Sequence, residues 1–281
     1  MKYLIMLLFN LFLSLIVVGQ INQSITFSKS VMYKVSFIKD TINNTLKEDI
    51  TELLYNDSLS VFSSMNKYVI DSVKQINHNK NNKSLDLSFV TRYPTELSFT
   101  IISSFDSIYT YDLIGYSLGE RFRYIESLED IEWELINETK TIMGLVCQRA
   151  ETQYGGRKWT AWFSESVPIT LGPYKFRNLP GLIIELEDHS HTWKFECIGL
   201  NNDVDRQIFI KKGSYLHDSH ILTTRNEFLE KKNYVRDNSF FIFMSEQKTI
   251  ENNLNNEVRN KIKKRLDDIS KGDNNWIELY P

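Results

Sequence analysis

The densest group of potential metal ligands in the sequence lies between residues 185 and 191. Glu185, Glu187, Asp188, His189 and His191 all fall within this short segment. If the chain there is extended, His189 and His191 share one face, and two imidazoles beside a carboxylate such as Asp188 suit Zn²⁺ or a similar divalent ion. The segment also has the composition of a turn between two strands, and it lacks a recognised metal-site spacing. We therefore favour an exposed hairpin here and expect no metal or other cofactor.

Covalent catalysis has little support. The sequence contains no Gly-x-Ser-x-Gly elbow and no dinucleotide or P-loop glycine signature, and its five histidines are scattered. A carboxylate pair for acid–base hydrolysis meets in space and leaves little trace in a sequence. A metal-dependent or acid–base hydrolase with its site near His189 and His191 therefore stays open as the alternative to a non-catalytic protein.

A second set of candidates could bind a ligand. The stretch from Trp159 to Ile184 holds three of the five prolines and a dense run of aromatic and aliphatic residues. Aromatic side chains serve recognition well, although they form the core more often. An apolar ligand or a protein partner of the cell envelope is the expected occupant. The candidate binding residues are Trp159, Trp162, Tyr174, Phe176, Leu179, Pro180 and Gly181.

The same stretch resembles the signature of the GLPGLI family, a set of exported proteins of the Bacteroidota. Leu179-Pro180-Gly181-Leu182-Ile183 matches the motif, and Asn178 stands where the family's first Gly is usual. Further similar segments are Gly144-Leu145-Val146-Cys147, Ala161-Trp162-Phe163, Gly172-Pro173-Tyr174-Lys175-Phe176 and, at the end, Trp276-Ile277-Glu278-Leu279. The resemblance implies export and a shared fold. It brings no established activity and no catalytic residues.

The local pattern in this stretch predicts its conformation. Pro180 followed by Gly181 predicts a type II turn with Gly181 at positive φ. Tyr174 and Phe176 alternate with Lys175 and Arg177. An extended segment would place both rings against a sheet and both cations in water.

Cys147 and Cys197 are the only two cysteines. Each lies in a strand-like run, and export would place them where disulfides persist. A bridge would close a loop of about 50 residues and stabilise the fold by roughly 4 kcal/mol. Two buried free thiols are the alternative, because two cysteines in neighbouring strands can point to opposite faces.

The elements that must position these residues are mainly strands. Tyr33, Val35 and Phe37 alternate with polar residues in the first of them. The strand-like runs of the centre are too closely spaced for crossover helices, so antiparallel pairing is predicted. These runs are Ile131–Asn137, Met143–Thr152, Trp159–Phe163, Leu182–Glu187 and Thr192–Ile198.

The C-terminal part changes to a helical period. Thr224 and Glu227 form a capping box, and a later apolar stripe ends before Gly272. The stripe consists of Leu254, Val258, Ile262, Leu266 and Ile269. The predicted fold class is α+β, mainly β: a curved antiparallel sheet, a meander or a half-barrel-like form, with C-terminal helices (about 223–272) packed on it.

The N-terminal sequence and the net charge of the chain indicate where the protein acts and which partners are excluded. Lys2 and the apolar run from Tyr3 to Val18 have the length of a secretory signal, with cleavage expected near Gly19-Gln20. We therefore predict a signal peptide (1–20), a single β-rich GLPGLI-like domain (21–281) and no transmembrane span after signal removal. The net charge of −3 gives no reason to expect nucleic acid as a partner. The predicted function is an exported, non-catalytic protein that binds an apolar ligand or partner, whether periplasmic, outer-membrane-associated or secreted.

Overall fold

The computed structural model describes residues 23–70, 92–114, 120–127, 131–210, 220–246 and 256–279. The predicted signal peptide lies outside these ranges. No helix within them is both long and apolar enough to cross a membrane.

Strands make up about half of the described chain. In chain order they are β1 (Gln23–Phe27), β2 (Lys29–Asp40), β3 (Thr45–Tyr55), β4 (Ser60–Ser64), β5 (Thr100–Ser103), β6 (Ser107–Ile114), β7 (Glu120–Ser127), β8 (Glu134–Ile142), β9 (Leu145–Tyr154), β10 (Arg157–Ser164), β11 (Leu182–Asp188), β12 (Trp193–Asn201), β13 (Arg206–Ile210) and β14 (Ile221–Leu222). The helices with defined bounds are α1 (Arg225–Asp237), α2 (Ser239–Glu246) and α3 (Asn256–Lys271).

Two meanders join into one open sheet. Its order is β14-β7-β6-β5-β4-β3-β2-β12-β11-β10-β9-β8, so that β2 to β7 form one meander and β8 to β12 the other. The two meet where β2 pairs antiparallel with β12, and only the short β14 pairs parallel, with β7. β1 and β13 form a separate two-stranded sheet. The predicted class, a largely antiparallel β fold with C-terminal helices, is confirmed.

The alternation that predicted the strands matches their burial. Tyr33, Val35 and Phe37 of β2 face the core, and Trp159 and Phe163 of β10 lie in the same cluster. Since side chains alternate across a strand, the other face is left to polar residues. Cross-strand ion pairs occupy that face, among them Lys34–Glu48, Lys140–Glu185 and Arg149–Glu138. One face of the sheet is therefore an aromatic core. The other face is charged at β2 and at β8 to β12, whereas over β3 to β6 it carries a second apolar cluster of Phe27, Leu54, Val61, Ile102 and Tyr111.

Of the two alternatives left open for the cysteines, the structure has the free thiols and no disulfide. Cys147 and Cys197 are both free and buried. They lie on β9 and β12, which are separated by β10 and β11. Neighbouring strands lie about 4.8 Å apart, whereas the Cα atoms of a disulfide lie about 4.4–6.8 Å apart, so strands this distant in the sheet are poor partners. Burial also raises the pKa of both thiols, which disfavours the reactive thiolate.

The helices start and end close to the predicted positions. Thr224 and Glu227 form the capping box of α1, which packs Phe228 on the rings of Phe122 and Tyr124 in β7. In α3 the apolar stripe is only partly covered. Leu266 is buried, but Val258 and Ile269 are 38% and 42% exposed, and the stripe's first residue lies outside the described ranges.

Residues 165–181, here called the strap, connect β10 to β11 across the core face. Phe176 is buried against Trp159, with ring centroids 4.8 Å apart, and its neighbours Tyr174 and Leu179 are buried too. Trp133 fixes the strap from the side, because its indole N–H donates to the Arg177 carbonyl at 2.7 Å. The predicted inward orientation of Tyr174 and Phe176 is therefore correct.

Two expectations for the strap are wrong. Tyr174 has φ 57°, so the segment is not extended and Lys175 lies buried instead of in water, while Arg177 is half-buried. Positive φ falls on Asn178 (73°) and not on Gly181, so the predicted type II turn is absent. Gly181 is needed for another reason: an added Cβ would lie 2.2 Å from the Ser164 carbonyl oxygen.

Candidate functional site

The most unusual chemistry in the structure lies beneath the strap. Lys175, whose side chain is fully buried, donates from Nζ to Glu126, to Glu278 Oε1 at 2.6 Å and to the Tyr124 hydroxyl at 3.1 Å. Arg225, at the start of α1, donates from Nε to Glu278 Oε2 at 2.5 Å. These two cations and two carboxylates, here called the ion cluster, balance in charge.

Tyrosines complete the ion cluster. The Tyr174 hydroxyl donates to Glu278, and the Tyr154 hydroxyl donates to Glu126 at 3.0 Å. The Nζ of Lys175 also lies 4.8 Å from the ring centroid of Tyr124 and 5.2 Å from that of Tyr174. Buried charges are tolerated when they are paired and hydrogen-bonded, and both conditions hold here.

The pKa shifts follow from these contacts. Burial alone would lower the pKa of Lys175, but the nearby Glu278 carboxylate and tyrosine oxygens raise it well above its ordinary value. Burial alone would raise the pKa of Glu278, but Lys175 and Arg225 lower it to about 2. Burial raises the pKa of Glu126. Lys175 and Glu278 are therefore charged at neutral pH, and neither has the near-neutral pKa that suits a general acid or base.

A second buried cation holds the C-terminal segment (residues 274–279) against the sheet. Arg157 donates to Asp188 Oδ2 at 2.9 Å, to Asn275 Oδ1 at 2.5 Å, and to two carbonyls of the segment, at 2.6 and 3.1 Å. The indole N–H of Trp193 donates to the Asn275 carbonyl at 3.0 Å. The segment that carries Glu278 is therefore fixed at several points.

The candidate metal ligands are not brought together. His189 and His191 lie exposed in the turn between β11 and β12, and Glu187 lies 2.8 Å from His191 Nδ1, which raises the pKa of that histidine. Asp188 points the other way and is buried on Arg157, where it also accepts the Trp193 backbone N–H at 2.7 Å. Within the described ranges, no three His, Cys, Asp or Glu side chains could share a metal ion.

A cleft of about 260 Å³, here called the central cleft, opens beside the ion cluster. Its lining comes from the core face of the sheet, from α1 and from the C-terminal segment. Its lining includes Phe99, Tyr174, Trp193, Phe228, Leu229 and Trp276. The ion cluster reaches the cleft through Tyr124, Tyr174 and Glu278.

Trp276 differs from the other aromatic residues of this cleft. Its indole Nε1 is buried and has no hydrogen-bond partner. Lys232 Nζ and the Arg236 guanidinium carbon lie 4.5 and 5.1 Å from the centroid of its ring. Buried indole N–H groups usually have an acceptor, and leaving one unpaired costs about 1–3 kcal/mol.

Of the seven candidate binding residues, only Tyr174 lines the central cleft. Trp159, Phe176 and Leu179 are core, Gly181 is buried, Pro180 is exposed, and Trp162 lies on the charged face beneath Lys140. Sequence reasoning missed Glu126, Arg157, Lys175 and Arg225. The signals that came nearest were the resemblances of two segments to a family motif, Gly172-Pro173-Tyr174-Lys175-Phe176 and Trp276-Ile277-Glu278-Leu279.

The comparisons with known proteins bear on the strap and its flanking strands. Residues 151–185 match the family model Porph_ging, described as a protein of unknown function. No curated protein matches the chain.

Two solved structures resemble the chain distantly. "Structure of PNGF-II in P21 space group" matches 73% of this chain with a TM-score of 0.44 and 10% identity, and "Structure of PNGF-II in C2 space group" matches 73% with a TM-score of 0.43 and 11% identity. The chain spans 32% of the length of each. Likeness at this level supports no argument about fold or function.

Proposed function

We propose that this chain is an exported, non-catalytic protein of the cell envelope or the medium that binds a small, mainly apolar ligand in the central cleft. The observation that carries the proposal is the Trp276 indole N–H, which is buried at an aromatic cleft without an acceptor. A ligand oxygen would supply that acceptor and remove the cost of the unpaired donor.

The titratable groups beside the cleft favour binding over catalysis. Each charged group of the ion cluster already has oppositely charged partners, and Lys175 and Glu278 have pKa values far from neutrality. A catalytic acid or base needs an atom free to reach the substrate and a pKa near the working pH. The cluster instead joins the strap, β7, α1 and the C-terminal segment.

The lining of the cleft indicates what the ligand looks like. Its charged side chains include oppositely charged pairs: Lys39 with Glu96 at 2.7 Å, and Lys232 with Asp112 at 3.7 Å. Because these side chains already neutralise each other, the cleft favours a neutral ligand over a charged one. The volume of about 260 Å³ is close to the lower end of ligand pockets, roughly 300–1,000 Å³. A neutral molecule with one or two rings and one hydrogen-bond acceptor fits this description.

A matched pair of probes tests the proposal. 2-Acetylnaphthalene has a carbonyl acceptor, and 2-ethylnaphthalene has nearly the same shape without it. We expect the wild-type protein to bind the ketone several-fold more tightly, since a hydrogen bond contributes about 0.5–1.5 kcal/mol. Trp276→Phe should abolish that preference, whereas Trp162→Phe, on the charged face, should retain it. Fluorescence titration measures both, and equal affinities for the two probes would overturn the proposal.

Export is tested separately. The apolar run from Tyr3 to Val18 predicts removal of the signal, so mass spectrometry of the exported protein should find an N-terminus between Gln20 and Ser24. Intact Met1 in the exported fraction would contradict this. Native mass spectrometry of the same material would identify a co-purifying small molecule.

A further inference from the structure

A second cleft of about 310 Å³, here called the strap cleft, is also lined by the strap and shares no lining residue with the central cleft. The strap forms one side of it with residues 168–171 and Arg177. The turn after β3 and the end of β5 form the rest, with residues 55–60 and 103–105.

Arg177 is the group in this cleft that calls for a ligand. Its Nη1 donates to the Ser104 carbonyl at 3.3 Å, while its Nε is buried without a hydrogen-bond partner. It pairs with no carboxylate of the described residues. Burial therefore lowers its pKa with no opposing charge to offset the effect. By contrast, the buried Arg157 and the half-buried Arg225 each bind a carboxylate.

The surroundings of Arg177 combine one further cation, hydroxyl groups and apolar side chains. Lys29 lines the cleft with its Nζ 5.9 Å from the centroid of the Tyr55 ring, and the hydroxyls come from Ser60, Ser103 and Thr170. The apolar part is formed by Leu59, Phe105, Ile169 and Leu171. Phe105 is 84% exposed, and the lining contains one acidic side chain, Asp57, which is also exposed.

We infer that the strap cleft binds a small amphipathic carboxylic acid, with the carboxylate on Arg177 and the apolar chain on Leu59, Ile169, Leu171 and Phe105. A planar guanidinium matches a carboxylate through paired N–H donors, and Nε is one of the donors in that arrangement. Lys29 adds positive charge. The apolar lining favours an organic acid over an inorganic oxyanion such as phosphate.

Isothermal titration with octanoate, octanol and inorganic phosphate tests this assignment on the purified protein. Octanoate should bind the wild type at least tenfold more tightly than octanol. Only octanoate carries a negative charge that can pair with the Arg177 guanidinium. Arg177→Gln should weaken octanoate binding at least tenfold. Lys261→Gln, which removes an exposed cation of α3, should leave it unchanged.

Three outcomes would overturn the assignment: no octanoate binding at millimolar concentration, equal binding of octanol, or unchanged octanoate affinity in Arg177→Gln. Displacement of octanoate by equimolar phosphate would also overturn it, since that would indicate a simple anion site. If Arg177→Gln fails to fold, Phe105→Ser decides, because a side chain this exposed is not needed for folding. Phe105→Ser should lower the affinity for octanoate several-fold, while the affinity for octanol stays low. An unchanged octanoate affinity would contradict the proposal.

The two clefts are distinguished in the same experiment. Saturating 2-acetylnaphthalene should not displace octanoate, because the clefts share no residue. If the wild-type protein binds octanoate but not the ketone, the proposed function is rejected and this inference stands. If it binds the ketone but not octanoate, this inference is rejected and the proposed function stands.

Discussion

Lys175 and Arg177 are two residues apart in the strap, and the sequence assigns both to water, yet their surroundings differ completely. Lys175 has two carboxylates and a tyrosine hydroxyl within hydrogen-bond distance of one nitrogen. Arg177 has one carbonyl and an unpaired Nε. Lys175, whose partners are complete, holds the fold together. The unpaired Nε of the half-buried Arg177 is the observation behind the proposed carboxylate site.

The same distinction separates the two sides of the central cleft. Glu278 accepts hydrogen bonds from Tyr174, Lys175 and Arg225, so its carboxylate has no need of a ligand. Trp276, two residues earlier in the C-terminal segment, has a buried N–H with no acceptor. The saturated group fixes the segment in place, and the unsaturated group belongs to a residue that lines the central cleft.

The largest expected effect comes from removing the buried ammonium. Lys175→Met should lower the free energy of unfolding by about 3–5 kcal/mol, because Glu126 and Glu278 would remain buried with one cation fewer. Arg177→Met, which breaks no ion pair, should cost less than about 1 kcal/mol. Urea unfolding of both variants measures the difference. Equal losses of unfolding free energy in the two variants would contradict the proposed difference between Lys175 and Arg177.

Phe176 lies between these cations and should matter almost as much. Phe176→Ala should cost about 3–5 kcal/mol, since the ring is buried among Tyr154, Trp159 and Trp133. Phe105→Ser, at the rim of the strap cleft, should change stability by no more than about 0.5 kcal/mol. Thermal melts compare the two, and a fully stable Phe176→Ala protein would mean that the strap is not part of the core.

Acid should weaken the ion cluster in a defined pH range. The pKa of Glu278 is lowered from 4.5 to about 2, so its stabilising contribution is complete above pH 4.5 and is lost as the pH falls toward 2. The pKa of Glu126 is raised, so its effect on stability has the opposite sign: protonation of Glu126 as the pH falls stabilises the fold, and this occurs above pH 4.5. The fall in unfolding free energy between pH 4.5 and 2 should be about 3 kcal/mol larger in wild type than in Glu278→Gln. If the two proteins lost the same unfolding free energy between pH 4.5 and 2, this prediction would be contradicted.

A smaller effect is expected where the strap joins β11. Gly181→Ala should cost about 1–3 kcal/mol, because the new Cβ would meet the Ser164 carbonyl and the backbone must move. Gly144→Asn is the control. That turn position has φ 77° with no atom within 4 Å, and Asn tolerates such a conformation, so less than about 1 kcal/mol is expected. Similar denaturation midpoints for Gly181→Ala and the wild type would remove the close approach as the reason for this glycine.

The strands and the capping box could be predicted because they depend on near neighbours. Alternation places Tyr33, Val35 and Phe37 on one face, and Thr224 contacts Glu227 within one helical turn. The predicted strand Met143–Thr152 begins and ends two residues before the observed strand, Leu145–Tyr154. Met143 and Gly144 have positive φ and form the turn before β9.

The ion cluster could not be predicted, because its partners are far apart in the chain. Lys175 meets Glu126 and Glu278 across 49 and 103 residues. The positive φ of Tyr174 also breaks the alternation on which its outward orientation was based. The cysteine pairing could not be decided from the sequence for a related reason. Spacing along the chain does not tell which strands are neighbours in the sheet.

The central claim is that Lys175 and Glu278 join the strap to the C-terminal segment as one bonded unit. A double-mutant cycle with Lys175→Met, Glu278→Gln and the double variant measures this directly by urea unfolding at pH 7. Because the second substitution removes a partner already lost, the double variant should lose at least about 1 kcal/mol less than the sum of the single losses. Additivity within about 0.5 kcal/mol would show that the two residues act independently and would contradict the claim.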